Sequence, residues 1–346
     1  MKTWNFGIIG AGMVSDFHAK AIQSLPNTKV VGFYDTFFDK ARQISQKYSC
    51  KPFETFEEML KSDEIDILTI ATPSGSHMEP AIEAAKYGKH VICEKPMEIS
   101  LDRIDKMIEA HENAGTRLGG IFNYRFNEAV RILKNAIDSG RFGTLTCGSV
   151  YVPWWRSDEY YGNSWRGTKK LDGGGALMNQ SIHMIDMLQY MMGPVESLQA
   201  YTSNLVHKIE VEDTGIAILR FRNNALGLIY GTTASFPGQY RRIEITGSKG
   251  TVIMIENSLS VWQFAEVLKE DIDIKKNYSE IVGGGGVSDP MAIPFQPHAR
   301  NIASFIEALE EGKAFEIEGK EARKSVEIVL GIYESAKKQK IIYFNN

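Results

Sequence analysis

The first 120 residues alternate short apolar runs with segments whose apolar residues recur every three to four positions. Asn5–Ile9 and Lys29–Tyr34 read as strands, and Met13–Ser24 and Asp39–Tyr48 as helices. Ile65–Ala71 and His90–Cys93 are short, apolar and bounded by Pro or Gly, the signature of strands buried on both faces. Strands and helices alternating at this rhythm predict an α/β domain, a doubly wound parallel sheet covered by helices.

Past Arg141 the period changes to two. Thr144–Val152, Thr214–Phe221, Leu226–Ala234, Arg242–Thr246 and Thr251–Ile255 alternate apolar with polar residues and are separated by turn residues at hairpin intervals. A largely antiparallel sheet follows. Gly175–Met191, Asn301–Leu309 and Lys320–Lys337 carry helical spacing, so the second domain reads as α+β. The expected division is 1–122 and 123–346. Gly283–Gly286 is too permissive for an element and reads as a mobile connection or a lid. Apolar residues Ile216, Ile218, Leu228 and Tyr230 on alternating strands predict that a partner subunit covers one sheet face, giving a homo-oligomer, dimer or tetramer.

Composition narrows the function classes. With 39 Lys+Arg against 43 Asp+Glu the net charge is −4, which offers no bulk positive field for a phosphate backbone, so nucleic acid is not expected as a partner. Cys50, Cys93 and Cys147 lie far apart with no C-x-x-C spacing, which suggests a reducing cytoplasm and neither a disulfide framework nor a thiolate metal site. No metal is expected. The amino terminus runs directly into an apolar strand, and no run approaches the ~18 apolar residues of a membrane span, so neither secretion nor insertion is expected.

The chemistry begins at Gly7-Ile-Ile-Gly10-Ala-Gly12-Met13-Val14-Ser15, which follows the first strand and opens a helix. In that context Gly10 makes a tight turn, Gly12 admits the pyrophosphate to the backbone, and the phosphates sit on the helix N-terminus. Ser15 replaces the usual third Gly or Ala and is still small. Asp35, 23 residues after Gly12 and at the end of the second strand, is placed to accept from both ribose hydroxyls. A carboxylate there repels a 2′-phosphate, and Thr36, Phe37 and Phe38 supply no Arg to offset it, so NAD is favoured over NADP. The bland alternative is a solvated Asp capping a turn.

Thr72-Pro73 with His77, and Glu94-Lys95-Pro96, both sit at carboxyl ends of parallel strands, where ligands of open α/β sheets bind. Taken singly, His77 could cap a helix and Lys95 could be a solvated surface residue. Pro96 limits the backbone of Lys95 to extended conformations and so aims its side chain. Asn123 is grouped with these as a further cofactor contact. On the Gly175–Met191 segment, Asn179 and His183 are four apart and share a face, with Asp186 a turn further, while Met178, Ile182 and Ile185 fall on a core face.

Gly10-Ala-Gly12, Thr72-Pro73 with His77, Glu94-Lys95-Pro96, Asn123-Tyr-Arg125-Phe, Trp165-Arg166-Gly-Thr and Gly173-Gly-Gly175-Ala-Leu-Met-Asn179-Gln-Ser-Ile-His183-Met-Ile-Asp186 together resemble the Gfo/Idh/MocA oxidoreductases across nearly the whole chain. The resemblance implies a Rossmann domain followed by a domain with a large, open, mostly antiparallel sheet. It also implies hydride transfer between a nicotinamide cofactor and a carbon of a sugar, cyclitol or nucleotide sugar. Lys95 and His183 are the catalytic pair it implies: His183 as base, with an ordinary pKa near ~6.5, and Lys95 as the cation beside the developing alkoxide. The family often carries Asp where this chain has Asn179, and an amide orients but cannot relay a proton.

Arg125, Arg156, Trp165 and Arg166, with Trp154, Trp155, Tyr160 and Tyr161 nearby, precede the glycine-rich turn. Aromatic faces beside guanidinium forks suit sugar rings bearing a carboxylate or phosphate, with Lys95, Asn179 and His183 completing the substrate contacts. The alternative for the tryptophans is packing at the domain junction. Two other functions use the same framework: an NAD-dependent glycosidase, and a non-catalytic NAD-binding regulator.

Overall fold

The computed structural model describes residues 2–162, 165–280 and 295–344. The Gly283–Gly286 run lies outside the described residues. The chain divides into two units, Met1–Asn123 with Pro294–Val326, and Tyr124–Ile293 with Glu327–Asn346.

In the first unit the order is β1 (Trp4–Ile9), α1 (Met13–Gln23), β2 (Thr28–Tyr34), α2 (Phe38–Tyr48), β3 (Lys51–Pro52), α3 (Phe56–Leu60), β4 (Ile67–Ile70), α4 (Met78–Lys86), β5 (His90–Cys93), α5 (Leu101–Ala114) and β6 (Leu118–Gly120). The six strands pair in parallel in the order β3-β2-β1-β4-β5-β6. Chain order reverses between β1 and β4, and ligands of such sheets bind outside the carboxyl ends of the strands at that switch point. Phe6, Ile8, Phe33, Ile67, Leu68, Val91 and Ile92 are fully buried, which accounts for apolar runs without alternation.

The second unit holds α6 (Glu128–Asp138), β7 (Leu145–Pro153), α7 (Asp158–Tyr161), a π-helical turn (Ala176–Ser181), α8 (Ile182–Met192), β8 (Val195–Ser203), β9 (Thr214–Phe221), β10 (Leu226–Thr232), β11 (Arg242–Gly247), β12 (Gly250–Ile255), β13 (Ser258–Phe264) and α9 (Glu270–Tyr278). The chain then continues through α10 (Gln296–Glu311), α11 (Gly319–Lys338) and β14 (Ile342–Tyr343). The sheet runs β13-β12-β11-β7-β10-β9-β8-β14, antiparallel apart from the parallel β7–β10 pair.

Burial alternates residue by residue along β9, the period-two pattern of a sheet with one covered face. Leu188 and Met192 lie over Gly148 of β7, and Leu177 lies over Gly215 of β9. On the opposite face Ile216 and Ile218 are 43% and 60% exposed, whereas Leu228 and Tyr230 are half-buried.

Two features differ from the sequence expectation. Residues 294–326 join the first unit instead of staying with 123–293, because α10 packs on α1 and Gly119 bridges to Glu318. The helix expected over 175–191 is a π-helical turn followed by an α-helix. Tertiary bonding at its start explains the wider turn. Gly175 N and Leu177 N donate to the Glu212 carboxylate (3.0 and 2.8 Å), and Ala176 N donates to the Glu212 carbonyl (3.1 Å). A Cβ at Gly175 would lie 1.8 Å from that carbonyl oxygen, so only glycine fits.

Candidate functional site

In the first unit the loop after β1 is pressed against the loop after β4. Gly10 has φ +99°, and a Cβ there would stand 2.6 Å from the Ala71 carbonyl oxygen. A Cβ at Gly12 would meet nothing within 4 Å, so space is left above the start of α1. Gly12 caps that helix without any side-chain hydrogen bond, and the first-turn N–H groups, those of Met13 and Val14 among them, have no acceptor within the helix. Ser15, fully buried at the third fingerprint position, donates its hydroxyl to the Gly12 carbonyl (2.5 Å).

Asp35 stands at the end of β2. Its Oδ2 accepts from Ala11 N and its Oδ1 from Phe37 N, both at 2.8 Å. Each oxygen keeps a further lone pair for a hydroxyl donor. An open glycine cradle, helix N–H groups and a carboxylate at the ribose position fit a dinucleotide. These residues would hold the pyrophosphate and the adenine ribose.

Two expected cofactor contacts are corrected. His77 is 1% exposed, and its ring nitrogens face the carbonyls of Thr72 (Nε2, 2.9 Å) and of Pro96 and Met97 (Nδ1, 3.1 and 3.2 Å). It ties the Thr72-Pro73 loop to the turn after β5, with both ring nitrogens engaged by the backbone. The Thr72 hydroxyl donates to the Ser76 carbonyl (3.3 Å), and Pro73 caps the short 3-10 turn that follows.

Glu94 is likewise buried. Its Oε1 faces His18 Nε2 at 2.7 Å and His298 Nε2 at 3.6 Å, and its Oε2 accepts from Lys95 N at 3.1 Å. The two imidazoles hold this carboxyl well below the ordinary carboxylate range despite burial that pushes it up. Glu94 therefore anchors the turn. Lys95 follows it half-buried, in a cis peptide with Pro96.

Among the described residues, His18, Glu94 and His298 have the composition of a metal site, their ligand atoms lying within 4.8 Å of one another. The 2.7 Å His18–Glu94 separation is a hydrogen-bond length, shorter than the roughly 3.3 Å between two ligands bound at about 2.0 Å around one tetrahedral zinc.

In the second unit Asn179 and His183 are both half-buried, while Met178, Ile182 and Ile185 are fully buried as the spacing predicts. The His183 ring stacks on Tyr124, centroids 4.4 Å apart and planes within 24°. Arg241 covers the same tyrosine ring at 3.9 Å and donates to its hydroxyl. Asn179 Nδ2 donates to the buried Asp172 (2.6 Å), so the amide is held by an acid.

The Arg125 expectation is corrected. Its side chain is 1% exposed and is clamped on Asp186, so it is an internal anchor of this unit and not a fork for substrate. Asp186 is the partner of Arg125 in a buried ion pair.

Arg156 is buried and lies over the Trp154 and Tyr160 rings (4.9 and 5.4 Å); burial pulls its guanidinium below the usual range, offset by the neighbouring tyrosines. Arg166 lies over Tyr160 and Trp165 (4.6 and 5.5 Å). Gln180 Nε2 donates to the Tyr160 hydroxyl (3.0 Å). Tyr124, Gln180 and Arg241 were missing from the sequence-derived set. Tyr124 was recoverable, since it sits inside the Asn123-Tyr-Arg125-Phe motif, whereas Arg241 lies just before β11 with no motif to mark it.

Comparison with known proteins agrees with both units. Residues 4–121 match the oxidoreductase family with an NAD-binding Rossmann fold, GFO_IDH_MocA, and residues 130–253 match the C-terminal domain of the same family. The myo-inositol 2-dehydrogenase of Thermotoga maritima is 31% identical over 256 residues, 71% of this chain and 73% of that protein. The inositol 2-dehydrogenase of Rhizobium meliloti is 28% identical across 90% of each chain. Among solved structures, the WlbA dehydrogenase from Bordetella pertussis, crystallised with NADH and UDP-GlcNAcA, superposes with a TM-score of 0.90 at 34% identity, covering 100% of this chain and 99% of that one. Among the described residues no helix is long and apolar enough to cross a membrane, and Cys50, Cys93 and Cys147 are free thiols.

Proposed function

The chain belongs to the GFO/IDH/MocA oxidoreductase family, and from that premise we propose that it transfers a hydride between NAD and a secondary alcohol on a nucleotide-linked sugar acid. Membership makes it an NAD-dependent oxidoreductase of sugar-type or cyclitol CH–OH groups. The anionic substrate is the finer reading. It is carried by the guanidinium and aromatic layer of the second unit, in which Arg156, Arg166 and Arg241 lie over Trp154, Tyr160, Trp165 and Tyr124. Aromatic faces cover the apolar side of a sugar or base, and Arg forks pair with carboxylate or phosphate. Likeness along the whole chain to a dehydrogenase crystallised with UDP-GlcNAcA supports the same class.

When bound, NAD supplies the hydride acceptor. For oxidation, His183 Nε2 or Nδ1 takes the hydroxyl proton, with the ring held by its stack on Tyr124. The Lys95 ammonium stabilises the oxyanion as the C–H bond breaks. Asn179, oriented by Asp172, accepts or donates a hydrogen bond but carries no proton across. Arg156, Trp165 and Arg166 hold the charged part of the substrate.

At the other end of the cofactor, Asp35 holds the adenine ribose and disfavours a 2′-phosphate, which supports NAD over NADP. The elimination chemistry of the NAD-dependent glycosidases is not favoured. Self-association through the open sheet, in the cytoplasm, completes the reading: Tyr201, Ile216, Ile218 and Leu226 are all more than two-fifths exposed.

The test is NADH formation with UDP-GlcNAcA, UDP-GlcNAc and myo-inositol compared at equal concentration. A kcat/KM at least ~100-fold higher for the uronic acid supports the reading, a discrimination of the size set by one buried charge-assisted pair. Equal or better turnover of myo-inositol would sink it.

A further inference from the structure

Segment 294–326, which joins the first unit late in the chain, delivers His298 to the turn that follows β6. His298 is 9% exposed, and its ring stacks on Phe17 of α1, centroids 6.0 Å apart and planes within 16°. One edge of the ring faces Glu94, with Nε2 3.6 Å from Oε1. Nδ1 stands 3.1 Å from Nδ2 of Asn123. With the ring proton assigned to Nε2, the nitrogen nearer the carboxylate, Nδ1 is left as an acceptor. An acceptor at Nδ1 in turn fixes which way the Asn123 amide points, because it takes one of the two N–H bonds.

The consequence falls on the other amide atom. Asn123 is 2% exposed, and among the described residues its Oδ1 has no hydrogen-bond partner. A buried carbonyl oxygen left unpaired costs of the order of a hydrogen bond, so such an atom in a native site calls for an explanation. Asn123 lies three residues past the carboxyl end of β6, next in the sheet to β5 and its Glu94-Lys95 turn. That is the end of the sheet at which ligands bind. The nicotinamide carboxamide is an N–H donor of matching chemistry.

Resting on the NAD reading above, we infer that His298 is a positioning residue: it orients the Asn123 amide so that Oδ1 accepts a hydrogen bond from the nicotinamide carboxamide N–H. The same imidazole faces Glu94, whose second oxygen holds the Lys95 backbone, so one ring steadies both the cofactor contact and the turn carrying Lys95. Nothing in the sequence motifs marks this residue, because it is 175 residues from Asn123 along the chain and its role depends on its segment folding back onto the first unit.

The test is calorimetric binding of three ligands to the intact protein: NAD, its 3-acetylpyridine analogue, which lacks the carboxamide N–H, and ADP-ribose, which lacks the ring. His298→Phe keeps the stack on Phe17 and removes both nitrogens. It is expected to weaken NAD binding about tenfold, the effect of one hydrogen bond, while changing the analogue and ADP-ribose less than about twofold. His298→Gln, which can still accept from Asn123, is expected to recover most of the loss. NAD affinity unchanged in His298→Phe, or all three ligands weakened alike, would overturn the inference, the second outcome marking a purely structural ring. Absence of ADP-ribose binding to the wild-type protein would overturn the dinucleotide reading itself, and this inference with it.

Discussion

Arg125 grips Asp186 through two parallel hydrogen bonds, Nε to Oδ2 at 2.7 Å and Nη2 to Oδ1 at 2.5 Å, with the two side chains 1% and 0% exposed. The pair joins the turn before α6 to α8, three residues beyond His183, and so sets where the helix that carries His183 sits within its unit. Removing one partner strands the other charge in a low-dielectric interior. Arg125→Ala is therefore expected to cost about 3–5 kcal/mol of unfolding free energy, and Arg125→Leu with Asp186→Leu to cost clearly less. Urea titrations of the single and double variants check this. A double variant no more stable than the single one would mean that the pair is not what holds the helix.

Asn179→Asp would place a second carboxylate against Asp172, at the 2.6 Å now bridged by an amide N–H. Two acids at that distance cannot both ionise cheaply, so one is held protonated with a raised pKa. A raised folded-state pKa makes stability fall as pH rises through it. The variant is expected to lose Tm relative to wild type at pH 8 and to approach wild type near pH 5. Equal Tm differences at both pH values would show that Asp172 does not face residue 179.

Glu212 is pushed up to about 7 by burial, against the hydrogen bonds from Leu177 N, the Tyr333 hydroxyl and Gly175 N, which act to lower it. With its folded-state value above the usual 4.5, the protonated carboxyl favours the fold. Its contribution is complete below about pH 4.5 and is lost as pH rises through about 7. Glu212→Gln is expected to flatten the fall of Tm across that window, even if the variant is less stable throughout. A wild-type profile with no slope there would refute the assignment.

On the proposed reading, Asp35→Ala removes an acceptor for the ribose hydroxyls and the repulsion against a 2′-phosphate. The ratio of kcat/KM for NAD over NADP is expected to fall by about tenfold or more. Because Asp35 also holds Ala11 N and Phe37 N, some loss of affinity for both cofactors accompanies the change. An unchanged ratio would show that the carboxylate does not face the ribose.

On the proposed roles, Lys95→Ala and His183→Ala remove groups that serve the transition state and not the adenine half. Each is expected to lower kcat by about a hundredfold or more while NAD affinity stays within about tenfold. Stopped-flow hydride transfer and NAD titration separate the two effects. His183→Ala retaining most of its kcat would make that residue a packing partner of Tyr124 and no more.

By itself the sequence determined the local chemistry and the periods. Gly10-Ala-Gly12 between an apolar run and an amphipathic one can hardly be anything but a strand, a tight turn and a helix, and Asp35 follows at the next strand end. Unbroken apolar runs declared a doubly buried parallel sheet, and the switch to period two declared the half-covered sheet that β9 displays. These are properties of neighbouring residues, so periodicity carries them.

What tertiary structure decided was which polar groups find one another. Arg125 reads as a substrate fork and is clamped on Asp186, His77 reads as a cofactor contact and has carbonyls facing both of its nitrogens, and Glu94, read likewise, lies against two imidazoles. The π-helical turn before His183 depends on Glu212, more than thirty residues downstream, and His298 reaches Asn123 only because α10 packs back on α1. A buried charge or hydrogen-bonding group takes its role from its partner, and the partner is brought by the fold from a distance along the chain that no local pattern records.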